Sequence, residues 1–200
     1  MTEHFKFKDT GLPNTPAYKK ATEVCLEWLN KNMSVFGEKR IADFMHNQPV
    51  AAAKRISNDT QSPSDQSIIV ALLGPAKMDL LKDEKSSRKT WGDDVVDLIK
   101  HYSGQPIAGK QLQRDAVRLF LVEGLSTMQD QLIDRKRHDR HHPVRWNILN
   151  HLEKTFPKLK GQNPKIDREF EKALQASRLA LETIDKNRKP KNPPKPPNHL

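Results

Sequence analysis

The apolar positions of this chain recur at helical spacing from end to end, and no credible period-two strand and no internal repeat interrupts them. Thr15-Pro16 supplies a capping hydroxyl followed by a first-turn proline. Ala21, Val24, Cys25, Trp28 and Leu29 then line one face, which predicts a first helix over about 16–32. Ile41, Phe44 and Met45 give a short helical stretch up to Pro49, where the missing amide donor should end one helix and let another continue through Ile56. Ser62-Pro63 opens a third helix, with a stripe of Ile68, Ile69, Leu72 and Leu73 that stops at Gly74-Pro75.

Thr90 reads as the cap of a fourth helix, with Asp93 and Asp94 in its first turn and Trp91, Val95, Leu98, Ile99 and Tyr102 on its apolar face. Between about Lys110 and Arg137 the apolar face broadens, since Val117, Leu121 and Leu125 join Leu112, Ala116, Leu119, Phe120 and Leu132; such width predicts a central, buried helix. Trp146, Leu149, Leu152 and Phe156 mark a sixth helix, and Ile166, Phe170, Ala173, Leu174, Leu181 and Ile184 a seventh. The expected architecture is therefore all-α: a flexible N-terminus over 1–14, one domain of about seven helices over 15–185, and a tail over 186–200. Pro190, Pro193, Pro194, Pro196 and Pro197 exclude regular helix from that tail and predict disorder.

Charge changes this picture less than its total suggests. The formal net charge is +10, but Lys186, Arg188, Lys189, Lys191 and Lys195 account for half of it, with no acid after Asp185. The body is thus only mildly basic, and its sparse aromatics do not interleave with basic residues as a base-stacking surface would. A single cysteine, Cys25, excludes an internal disulfide and suits a reducing compartment, so a cytoplasmic protein is expected. It lies on the apolar face of the first helix, as a small buried hydrophobe would. Residues 1–14 lack the apolar core of a secretion signal, and no apolar run reaches membrane-spanning length.

Several segments together resemble a known family. Gly37-Glu38 is followed by His46 and then Val50-Ala51, an apolar helix ends in Ala71-Leu72-Leu73, Trp91 to Ile99 reads WGDDVVDLI, and Leu132-Ile133-Asp134-Arg135 ends a long apolar helix. In this order, over about residues 17–140, they resemble the HD-type hydrolase domain of the RelA/SpoT family, which removes pyrophosphate from the alarmone (p)ppGpp with a manganese ion (Mn2+). The resemblance implies an HD-like helical fold. It also implies that His46 and Asp134 match two of the four metal ligands, with Asn47 in place of the family's proline after the histidine. The family's His-Asp ligand pair falls on Gly74-Pro75, which offer no side-chain ligand, and of the Glu-Asp pair that helps activate water only Asp79 remains, beside Met78.

Two ligands rarely hold a metal tightly enough to lower the pKa of its water. The leading expectation is therefore a non-catalytic HD-like domain that binds a phosphorylated nucleotide or an acidic macromolecular partner, without a cofactor. Two other readings compete with it. One is an active Mn2+-dependent phosphohydrolase that recruits His138, His141 or Asp79 in place of the missing pair. The other is a nucleic-acid-associated protein whose basic tail contacts phosphates. Arg135, Arg137, His138, Arg140 and His141 form an anion-binding candidate: helical spacing would gather His138, His141 and His142, but the surrounding arginines and Lys136 repel a cation, and Pro143 suits a helix boundary.

Overall fold

Thr15 accepts a hydrogen bond on its Oγ1 from the Tyr18 amide at 3.2 Å, and Pro16 begins α1 (Pro16–Asn32) in the computed structural model of the chain. The structure describes residues 5–59, 63–102, 109–133, 142–161 and 163–187, and among these the regular structure is entirely helical. None of the described helices is long and apolar enough to cross a membrane. The expected disorder of the tail lies outside the described residues from 188 onward, as do Asp134 to His141.

The second helical stretch differs instructively from its expectation. Pro49 does not end it: α2 (Glu38–Met45) passes through a π-turn, His46–Val50, directly into α3 (Ala51–Ser57). A π-turn inserts one extra residue into the ladder, and the widened turn accommodates a ring that would otherwise clash and an absent amide donor. A second π-turn, Met128–Ile133, extends α7 (Lys110–Thr127). The two meet through buried Asp130, which accepts hydrogen bonds from Asn47 Nδ2 at 3.3 Å and Gln48 Nε2 at 2.7 Å.

The most deeply enclosed element is α4 (Asp65–Leu73), capped by Ser64, whose Oγ accepts from the Ser67 amide at 3.2 Å. Ser67 through Leu73 are all buried, because Val70 and Ala71 make the segment apolar on every side and not only along the expected stripe. It packs against α1, α3, α7 and α6 (Asp93–Tyr102). The broad face of α7 is buried as expected, and α9 (Pro164–Asn187) lies along it together with α8 (His142–Leu159). At the other end, Phe5, Phe7 and Leu12 are buried in the core around a short 3-10 turn, Phe7–Thr10, so the chain from Phe5 onward is packed where a flexible end was expected.

Thr90 is not a cap. It lies inside α5 (Glu84–Trp91), a strongly polar helix capped by Asp83, whose Oδ1 accepts from the Ser86 amide at 3.1 Å. The break falls two residues later at Gly92, whose φ of 88° sets the bend into α6. Arg88 spans that bend, reaching Glu84 Oε1 at 2.8 Å, Asp93 Oδ1 at 2.8 Å and Asp97 Oδ1 at 2.6 Å.

Close approach of α7 to α9 depends on Gly124. A Cβ there would stand 2.8 Å from Phe170 Cε2 and 3.2 Å from Leu152 Cδ2, and Phe170 is itself fixed by stacking on Phe156 at 4.7 Å. Gly124→Ala is expected to destabilise the fold by about 1–3 kcal/mol through overpacking, which exceeds the helix-propensity gain of alanine. Urea denaturation of the variant checks this; unchanged or raised stability would show that α9 can yield.

Candidate functional site

Between α2, the α4 end, α7 and α8 lies a cavity of about 600 Å³, well within the size of small-molecule sites. Phe44, Pro49, Ala71, Met78, Phe120, Val144, Ile148 and Leu152 make most of its wall. Gln48, Asn147 and His151 add polar groups, and the floor includes Gly74 and Pro75. Met78, Tyr102 and Val144 are three of the large apolar side chains that remain exposed among the described residues, and all three border this cavity.

One charged pair stands in the apolar wall. Lys77, 4% exposed, projects from the 3-10 stretch Gly74–Asp83 that follows α4, and donates to both oxygens of Glu123 on α7, at 2.5 and 2.6 Å. Its ammonium also sits 3.8 Å from the ring centre of Tyr102, a favourable cation–π distance. The negative charge of Glu123 pushes the Tyr102 pKa upward, so Tyr102 stays protonated across the physiological range. His151 lies across the cavity with its ring edge-on to Phe120 at 6.3 Å.

Beneath the floor, Gly74 has φ 51° and ψ −133°, a backbone region that a side chain disfavours. A Cβ on it would lie 2.9 Å from both Cys25 Sγ and Pro49 Cγ. Cys25 is fully buried, and burial pushes its thiol up to about 12, so it stands as a protonated core side chain and not a nucleophile.

The residues singled out from the sequence do not gather here. His46 leaves the π-turn on another side and packs its ring against Phe5, centroids 4.8 Å apart. Asp79 is exposed and turned toward α1, where it accepts from Trp28 Nε1 at 2.9 Å and pairs with Lys82 at 2.7 Å. The Lys82 hydrogen bond, with help from Trp28, holds its carboxyl below the usual range. Neither lines the cavity. Asp134, Arg135, Arg137, His138, Arg140 and His141 lie outside the described residues.

The cavity's own polar residues, Lys77, Glu123, Tyr102 and Gln48, were not among the sequence candidates. A signal for two of them exists: Glu123 interrupts the broad apolar face of α7, and Lys77 follows the apolar run that ends α4 at short range. A charge inside an apolar face implies a buried partner.

The donor set does not fit the manganese that the family resemblance implies. Gly74-Pro75 contribute no ligand atom, Gln48 is neutral, and Glu123 is engaged by Lys77 on both oxygens. Among the described residues no three His, Cys, Asp or Glu side chains converge as a metal set. Neither a protein-family model, nor a curated protein, nor a solved structure matches the chain.

Proposed function

We propose that the chain is a non-catalytic, HD-like helical domain that acts by binding, with the cavity beside Gly74-Pro75 as its site. The observation that carries this reading is the backbone at Gly74. Where the RelA/SpoT-type pattern calls for the first residue of a His-Asp ligand pair, the chain holds a glycine at positive φ with Cys25 and Pro49 filling the space a side chain would need. The change is therefore in the backbone as well as in the side chains.

Two further features support the same reading. His46, the match to the family's first histidine ligand, packs against Phe5 and does not line the cavity, whereas the neutral Gln48 does. In addition, the one strong cation in the described wall, Lys77, is already neutralised by Glu123. A helical scaffold tolerates such changes because its stability resides in the apolar packing and not in the metal pocket.

Incubation of the full chain with (p)ppGpp and manganese should release no pyrophosphate above the protein-free control. Release that disappears in His46→Ala or Asp79→Asn would overturn the proposal in favour of a phosphohydrolase with recruited ligands.

A further inference from the structure

We infer that the cavity takes an uncharged, largely apolar small molecule carrying one N–H or O–H donor, which docks on the free acceptor capacity of Glu123. This rests on the binding reading above and names the ligand class for the same site.

The hydrogen-bond capacity of the Lys77–Glu123 pair decides what the wall can accept. Lys77 has three N–H bonds: two go to the Glu123 oxygens, and the third side of the ammonium is covered by the Tyr102 ring. Lys77 therefore has no donor left for an anion. An incoming phosphate or carboxylate would meet the Glu123 charge and lose its hydration for nothing in return. An incoming cation would meet Lys77. The pair is thus closed to ions of either sign.

Acceptor capacity does remain. A carboxylate offers roughly four lone-pair sites, and Lys77 occupies two of them on Glu123. A neutral donor can use a remaining one without displacing Lys77. The rest of the surface rewards apolar area, since Phe44, Met78, Phe120, Val144 and Ile148 surround that polar point. A few polar groups on a mainly apolar wall give a ligand its orientation, while the wall supplies most of the affinity.

A matched pair of fluorescent probes separates the alternatives. Phenyl-naphthylamine is neutral and apolar with a single N–H; anilinonaphthalene sulfonate is the same framework with one added anionic group. Titration of the full chain should show the neutral probe binding about tenfold or more tighter than the anionic one, a gap of about 1.4 kcal/mol. Thr127→Phe and, independently, Asn147→Phe place a ring in the cavity from α7 and from α8, and each should abolish the neutral probe's signal while circular dichroism stays unchanged. Using both keeps the test informative if one variant folds poorly.

Equal or tighter binding of the sulfonate, failure of the neutral probe to bind, or binding that survives both filling variants would each overturn the inference. The two proposals fail separately. Pyrophosphate release from (p)ppGpp would sink the non-catalytic reading, whereas a preference for the anionic probe sinks only the ligand class.

Discussion

Arg118→Ala is expected to remove about 3–5 kcal/mol of stability, as breaking a buried ion pair from one side does. Arg118 is 5% exposed on α7, with its Nε 2.7 Å from Asp59 Oδ2 and its Nη1 2.8 Å from Asp115 Oδ1. Asp115 is fully buried and also accepts from Ser64 Oγ at 2.7 Å, and Asp59 accepts from Asn163 Nδ2 at 3.0 Å. One guanidinium therefore ties together the end of the α3 segment, the cap of α4, the body of α7 and the turn before α9. Truncation would strand two carboxylates of like charge inside the fold.

Urea denaturation should show a lower midpoint at unchanged slope, and for a chain of this size the melting temperature should fall by about 2–4 °C for each kcal/mol lost. Arg88→Ala is the control. It touches three carboxylates, but Glu84, Asp93 and Asp97 are all at least partly exposed, so its loss should cost far less than that of Arg118. Equal effects of the two substitutions would show that the Arg118 cluster is solvated and not structural.

The contrast between these two arginines also explains how much could be read in the sequence. Capping and apolar spacing are local, so α1 begins at Thr15-Pro16 and ends at Asn32 as the pattern implies, and the wide face of α7 is buried. Elements without an apolar stripe escape such reading. Polar α5 has no such stripe to announce it, and the capping pattern points to Thr90 although the break falls at Gly92. Pro49 misled for a related reason: proline forbids the normal α-helical bond, yet a π-turn supplies a different ladder, and no local rule announces it. Phe5, Phe7 and Leu12 find their place only in three dimensions.

The cavity was legible to a smaller degree. Motif matching directs attention to His46 and Asp79, because those residue types carry chemistry, and the structure turns both away from the cavity. Lys77 and Glu123 lie 46 residues apart, so their pairing is a fact of packing between the stretch after α4 and α7. The legible part is Gly74-Pro75, which marks in the sequence where the ligand pair of the family pattern would stand and lies at the floor of the cavity.

Installing a His-Asp pair at positions 74 and 75 should fail to create a metal site. In Gly74→His combined with Pro75→Asp, the new Cβ at position 74 would have to enter space held by Cys25 Sγ and Pro49 Cγ, both 2.9 Å away, from a backbone at φ 51°. Neither obstacle is the free end of a flexible side chain: the thiol is on a buried helix face and the ring is locked in the π-turn. Backbone strain of about 1–3 kcal/mol adds to an overpacking cost of similar size. The smaller Gly74→Ala already incurs both, so a loss of about 2–5 kcal/mol is expected from it alone.

A double-mutant cycle divides that cost. In a Cys25→Ala background one of the two contacts is gone, so Gly74→Ala should lose less there, while the contact with Pro49 and the strain of positive φ persist. Manganese titration of the His-Asp double variant, followed by calorimetry, should show no binding above that of the parent chain. If that variant instead folds with parental stability and gains manganese affinity, the stretch after α4 can adopt a ligand-presenting geometry. The proposed lack of catalysis would then rest on two side chains alone, and the argument from the Gly74 backbone would lose its foundation.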